Sequence, residues 1–342
     1  MHTMKRPLSA LLPLLIALPV LSSCAKPAEP RTEFVLGTVC TVNLYEKGTD
    51  AIYNEIFARL RRLEDILSAN RDDTNLAAIN AGAGIRPVKA EPETLEILDE
   101  GLRFAEISGG KLDPTVGPLV KTWNIGTEYA AVPSSDALRA AVRLIDWKKV
   151  RIDRTAGTVY LEEPGMKLDL GAIAKGYAAD EAARIIKKRG IKRAIVDLGG
   201  NILAVGEKAP GKPWKIGIRN PETEQGGSVL SMEINDSAVV TSGVYERFFI
   251  ENGRRYHHIL DPFTGFPAEN GLLSVSIVTA RSIDADALST TTFLLGLDKG
   301  MRLVNSMDGV EAVFIDSSKK VRVSAGLLGK VAILEDGYAM AE

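Results

Sequence analysis

Residues 193 to 279 place the strongest constraint on the fold. They read as eight short strands, at 193–197, 201–205, 214–218, 228–234, 238–241, 247–251, 254–260 and 272–279, broken by Gly, Asn, Asp and Pro with no helix among them. Helical spacing lies on either side. Ile52, Ile56, Leu60, Leu63 and Leu67 recur every three or four residues and predict a helix over 50–67, capped by Thr49 or Asp50. Further helices are expected at about 93–107 (stopped by Gly109-Gly110), 134–144, 175–189, 284–296 and 298–306. Outlying strands are expected at 34–45, 150–153, 158–161, 311–315, 320–324 and 330–334, and a loop over 69–92. Helices mixed with antiparallel-looking strands, without regular βαβ alternation, mean α+β rather than a doubly wound parallel sheet. Gly199-Gly200 is not part of a G-x-G-x-x-G loop, so a Rossmann dinucleotide site is unsupported.

The N-terminus reads differently. Lys5 and Arg6 precede an apolar stretch from Leu8 to Leu21 that is too short to span a membrane comfortably. It ends in Leu21-Ser22-Ser23-Cys24, which resembles a lipobox. Residues 1–23 are therefore expected to be a lipoprotein signal peptide, with 24–32 the lipidated Cys24 and a Pro-rich tether, and 33–342 the folded domain. A plain signal peptide with a chance cysteine is the alternative. The mature chain is then exported and lipid-anchored to a bacterial membrane facing the periplasm. With only two cysteines there is no disulfide scaffold, and Cys40, in a β-like run without a neighbouring His or Lys, is expected in the core. At 342 residues, 45% hydrophobic and 25% charged, the chain is long enough and ordinary enough to be globular rather than disordered or multi-spanning. A net charge of −2 supplies no bulk field for nucleic acid.

Four segments concentrate groups suited to chemistry. They are Ser108–Leu119, Leu168–Tyr177, Tyr256–Pro267 and Asp284–Phe293. The first three put glycines beside a charged or imidazole side chain, where a ligand can approach the backbone and helix starts can face an anion. Each also has a plainer reading, Gly-Gly as a helix C-cap and Asp-Pro-x-Thr-Gly as a turn. In the fourth, Asp286 and Thr290 lie four apart on one helix face, a carboxylate and a hydroxyl suited to Mg²⁺. The alternative is that Asp284 caps the helix and Asp286 adds charge to its first turn. His257 and His258 are the only imidazoles left after the signal, and on a strand they point to opposite faces, so one of them at most faces a given pocket.

Together these segments resemble the FAD:protein FMN transferases, the ApbE family. The matches, in family order, are Gly109-Gly-Lys-Leu-Asp-Pro-Thr-Val-Gly-Pro-Leu-Val120, Leu168-Asp-Leu-Gly-Ala-Ile-Ala-Lys-Gly-Tyr-Ala-Ala-Asp180, Asp197-Leu-Gly-Gly-Asn201, Thr241-Ser-Gly-Val-Tyr-Glu-Arg247, His258-Ile-Leu-Asp-Pro-Phe-Thr-Gly-Phe-Pro267 and Ala285-Asp-Ala-Leu-Ser-Thr290. The resemblance implies an α+β, T-fold-like arrangement of mixed sheets with flanking helices in a single compact catalytic unit. It implies Mg²⁺-dependent transfer of the FMN half of FAD to a Thr or Ser hydroxyl of a partner protein, with AMP released. Acceptors in the family carry Asp-x-x-Ser/Thr-Gly-Ala-Ser/Thr and are redox-pump subunits or periplasmic electron carriers.

Carried over by the resemblance, Asp286, Thr290 and the Ala172 carbonyl match the metal ligands. Asn70, Ser108, Gly109, Gly110, Asp169, Lys175, His258 and Ile259 match positions at the flavin nucleotide, and His258 and Asp286 the catalytic pair. The sequence departs from the family at Asn70, where an aromatic, usually Tyr, often stands. An open site there would admit water and add FAD pyrophosphatase activity, giving FMN and AMP. The alternative to an enzyme is an FAD-binding lipoprotein that stores or delivers flavin.

Overall fold

A computed structural model describes residues 29–222 and 226–341. The expected signal peptide, Cys24 and the first part of the tether lie outside the described residues. The helices are α1 (Asp50–Leu67), α2 (Asn75–Ala81), α3 (Pro92–Ile107), α4 (Gly117–Trp123), α5 (Ser135–Val142), α6 (Ala174–Lys188), α7 (Ser282–Leu295) and α8 (Leu297–Asn305). Thr49 caps α1, its hydroxyl accepting from the Ile52 N–H. No helix among the described residues is long and apolar enough to cross a membrane.

The framework is a nine-stranded sheet. In spatial order its strands are Arg31–Val35, Thr38–Leu44, Ala194–Leu198, Asn201–Val205, Ala238–Gly243, Leu272–Thr279, Glu311–Asp316, Lys320–Val323 and Ala339–Met340. Every neighbouring pair is antiparallel except the last. Side chains alternate between two apolar layers, as a pleated strand requires. Ala238, Val240, Val275, Ile277, Ala312 and Phe314 face the helices. Val239, Val278, Val313 and Ile315 face a three-stranded sheet of Trp214–Arg219, Ser228–Ile234 and Val331–Ile333. Both faces of the central strands are therefore dry, and the α+β expectation holds.

Helix α7 lies against the sheet, with α6 and α8 packed beside it, and nearly every one of its residues is buried. Its crossing with α6 is a backbone contact. A Cβ on Gly176 would stand 2.4 Å from the Ser282 carbonyl oxygen and 2.8 Å from the Asp286 Cβ. Only a residue without a side chain permits that approach.

Three sequence expectations are corrected. Residues 34–45 are not one strand but a hairpin, turned at Leu36 and Gly37, both at positive φ (57° and 66°), so the first strand begins at Arg31, inside the expected tether. Paired positive φ is the geometry of a tight hairpin turn. The expected loop 69–92 holds α2, capped by Thr74, and a short strand at Val88–Lys89. Asp284 does not cap α7. The Asp180 carboxylate of α6 does, accepting from the N–H groups of Ser282 (2.8 Å) and Ile283 (3.0 Å), while Asp284 pairs with Arg103 and Arg281.

Gly176→Ala is expected to lower the unfolding free energy by about 1–3 kcal/mol through overpacking at this crossing. Urea denaturation checks it; an unchanged midpoint would mean that the two helices can slide apart freely.

Candidate active site

The four Gly-rich and polar segments, far apart in the chain, meet. Ser108–Leu119 runs beside Leu168–Tyr177, joined by Asp169 N–H to the Pro114 carbonyl (2.8 Å) and Gly117 N–H to the Lys167 carbonyl (3.1 Å). The Lys111 ammonium and Asp261 carboxylate (2.5 Å) tie the first segment to Tyr256–Pro267. The second meets the fourth where the Gly176 N–H donates to Asp286 Oδ2 at 2.8 Å.

Asp286 is the centre of this arrangement. It is 5% exposed, on the most buried helix. Burial pushes its carboxyl up to about 6, against the pull of Lys175 and of the Gly176 N–H. Helix α6 has no side-chain cap of its own at Ile173, so its first-turn N–H groups are free for this carboxylate. Because the Gly176 N–H turns to Asp286, no N–H among the described residues bonds to the Ala172 carbonyl. Thr290 follows one turn after Asp286, its hydroxyl 3.2 Å from Ser242 Oγ.

Two cations act together on His258, and one of them also on this oxygen cluster. Lys175, in the first turn of α6, acts electrostatically on Asp286, Asp197 and His258. Arg247 acts on Asp169 and His258. Neither makes an ion pair with another described residue. Asp169 and Asp197 are both raised by burial; the Gly171 and Gly200 N–H groups, each 2.8 Å away, oppose that shift. A helix N-terminus flanked by two unpaired cations suits a polyanionic ligand.

The two histidines divide as expected. His257 is buried, with Nε2 3.1 Å from the Ala268 carbonyl and Nδ1 accepting from the Ile259 N–H, and it packs edge-on against Phe293. It is a core residue. His258 is exposed to solvent on one side and crowded by protein on the others. That crowding pushes its pKa down to about 4, and the charges of His257, Arg247 and Lys175 add to the effect. Its Nδ1 lies 3.2 Å from the Arg247 carbonyl, which only accepts, so Nδ1 carries the proton and Nε2 keeps a free lone pair.

Ser108 is buried at the end of α3, its hydroxyl accepting from the Leu112 N–H (3.0 Å), with Gly109 and Gly110 at positive φ behind it. The Gly110 N–H reaches back to the Ala105 carbonyl (2.7 Å), so the glycines do form a C-cap; Gly109 leaves exposed backbone, while Gly110 is buried against Phe263 and Trp147. Ile259 is buried beside His257. Asn70 is exposed after α1 and its hydrogen bond is local, from its N–H to Ser68 Oγ, so nothing ties it to the cluster. Cys40 is buried with its thiol pushed up to about 12, inert as expected. Sequence reading missed Arg247, Asp180 and Ser242; the first and last sit in the Thr241–Arg247 motif, which alone could have drawn attention to them.

Fold and site define a class: a mixed sheet-and-helix protein that gathers hard oxygen donors and unpaired cations at one helix N-terminus. The profile of the ApbE family matches residues 36–314. Among relatives, the FAD:protein FMN transferase of Treponema pallidum is 44% identical over 327 residues, covering 91% of this chain and 90% of its own. That of Klebsiella pneumoniae is 34% identical, covering 89% and 94%. Among solved structures, the ApbE protein of Thermotoga maritima superposes with a TM-score of 0.80 at 32% identity, covering 88% of this chain and 98% of its own. The flavin transferase ApbE of Vibrio cholerae gives 0.78 at 27%, covering 88% and 98%. The chain belongs to the ApbE family.

Asp286→Asn is expected to stabilise the metal-free protein at pH 7. The raised pKa means that the folded state is penalised whenever the carboxyl is ionised, above about pH 6, and relieved as pH falls towards 3.8. Removing that charge should add about 1–3 kcal/mol, visible in thermal or urea unfolding without metal. A destabilised variant would show that the charge itself holds α6 to α7.

Proposed function

We propose that this chain is an FAD:protein FMN transferase that works with Mg²⁺ outside the cytoplasm. One observation carries the reading: a buried carboxylate is held at the start of α6 under the charge of Lys175, with a hydroxyl one turn further along its own helix and an unclaimed carbonyl two residues before α6. Asp286, Thr290 and Ala172 are hard oxygen donors, and their chemistry fits Mg²⁺. Bound there, the ion supplies charge neutralisation at the anhydride.

The chain's own residues do the rest. Lys175 and Arg247 bind phosphate oxygens, and the exposed backbone at Gly109, with Asp169, holds the nucleotide in place for in-line attack. His258 Nε2 takes the proton of the acceptor hydroxyl as its oxygen bonds to the FMN phosphorus. The anhydride P–O bond breaks and AMP leaves with the bridging oxygen. The acceptor is a protein carrying Asp-x-x-Ser/Thr-Gly-Ala-Ser/Thr. A second outcome, hydrolysis of FAD to FMN and AMP, is favoured by exposed Asn70, which gives no aromatic cover. The lipobox-like Leu21–Cys24 anchors the protein to a membrane facing the periplasm.

Mass spectrometry of an acceptor-motif peptide after incubation with protein, FAD and Mg²⁺ tests the reading. An FMN phosphoester on the peptide is expected. Intact FAD retained by the protein, with no AMP, would instead mean flavin storage, and free FMN and AMP alone would mean hydrolysis. Asn70→Tyr is expected to slow any hydrolysis; equal turnover removes Asn70 from that role.

The base assignment sets a pH profile. In the free enzyme His258 is neutral above about pH 4, so at Mg²⁺ concentrations high enough to keep Asp286 ionised, kcat/KM is expected to hold level from pH 8 down to about pH 5. A bound pyrophosphate favours the imidazolium, so the acid limb of kcat is expected at higher pH than that of kcat/KM. An acid limb of kcat/KM at about 6.5, the ordinary histidine value, would place the essential imidazole in open solvent.

A further inference from the structure

Four oxygen atoms form a chain beside Asp286. Ser289 Oγ lies 2.9 Å from the Asp286 carbonyl, Ser242 Oγ lies 2.8 Å from Ser289 Oγ, and Thr290 Oγ1 lies 3.2 Å from Ser242 Oγ. Each hydroxyl has one proton to give. A carbonyl oxygen only accepts, so the Ser289 proton goes to Asp286. Ser289 Oγ must then accept the Ser242 proton, and Ser242 Oγ must accept the Thr290 proton. The direction of the chain is fixed from its far end.

We propose that Ser242 is a positioning residue: by taking the Thr290 proton it keeps the lone pairs of that hydroxyl for a divalent cation. The inference rests on the reading of Asp286 and Thr290 as cation ligands. A free threonine hydroxyl rotates and presents its proton as readily as its lone pairs, and a proton aimed at the metal position would repel the ion. The strand supplies the placement. Ser242 shares the helix-facing side of its strand with Ala238 and Val240, and so meets α7 where Ser289 and Thr290 stand. Thr241, on the other side, bonds to Ser276 instead, at 2.8 Å. The chain ends on the backbone of the residue whose side chain is the other ligand, so both ligands are set by one hydrogen-bonded unit. Groups that orient metal ligands in this way typically contribute about 10–100-fold to affinity.

Binding of Mn²⁺, as a paramagnetic substitute for Mg²⁺, is measured on the full folded protein by the loss of the free-ion EPR signal, with ADP as a diphosphate probe. Ser242→Ala is expected to weaken Mn²⁺ about tenfold, to raise the Mg²⁺ concentration for half-maximal turnover by a similar factor, and to leave kcat at saturating metal nearly unchanged. Ser242→Thr, which keeps the hydroxyl, is expected to restore binding. Ser289→Ala frees the Ser242 proton to turn towards Thr290 and is expected to weaken Mn²⁺ too, although it leaves the Ser242–Thr290 pair in place. Urea unfolding of each variant separates this from a loss of fold. If Asp286→Ala loses Mn²⁺ while Ser242→Ala binds it as the wild type does, the positioning role is overturned and the ligand assignment stands. If Asp286→Ala binds like the wild type, or the wild type binds no Mn²⁺, the ligand assignment fails and the role of Ser242 fails with it.

Discussion

A carboxylate in the interior is tolerable only where donors answer it. Asp286 finds its donors at the start of another helix. In return, α6 gives Asp180 to the first turn of α7. Each helix start is thus satisfied by an acid from its partner, and neither has a side-chain cap of its own at Ile173 or Arg281. The exchange needs backbone-close packing, which Gly176 permits. It also sets two acids near one another, so Asp180 adds to the upward pressure on Asp286. The cluster is strained electrostatically in the direction that a cation relieves, and the unclaimed Ala172 carbonyl is a by-product of the same contact.

Much of the fold was legible because it follows local pattern. The Ile and Leu spacing of 50–67 follows from a helix with one dry face, and the short apolar start of Ala238–Gly243 from a strand buried on both. The errors have physical causes. Leu36-Gly37 was hidden inside a strand-like run, since a leucine at positive φ has no sequence signal. Helix α4 opens on Gly117-Pro118 within a segment that reads as a ligand loop, and its burial comes from Trp123, whose ring N–H bonds to the Gly265 carbonyl far along the chain.

The site was legible through motifs, less so through roles. Composition and spacing alone left Asp286 divided between ligand and helix charge, and the resemblance decided between them. What no sequence pattern contains is the partner of each group. Asp180 meets Ser282, Arg247 gives its carbonyl to His258 and its charge to Asp169, and Ser242 meets Thr290, all across turns and crossings that exist only after folding.

The order of strands in the large sheet bears on how the chain reaches this state. Thr38–Leu44 lies between Arg31–Val35 and Ala194–Leu198, with Val42 opposite Val196. During synthesis the first two strands are an isolated hairpin, which is marginal in water. They gain a third neighbour only after the whole helical half has been made, and closing so long a loop is slow. The nascent N-terminal hairpin therefore lacks its third strand until more than half of the chain has been made, a window in which chaperones can hold it open.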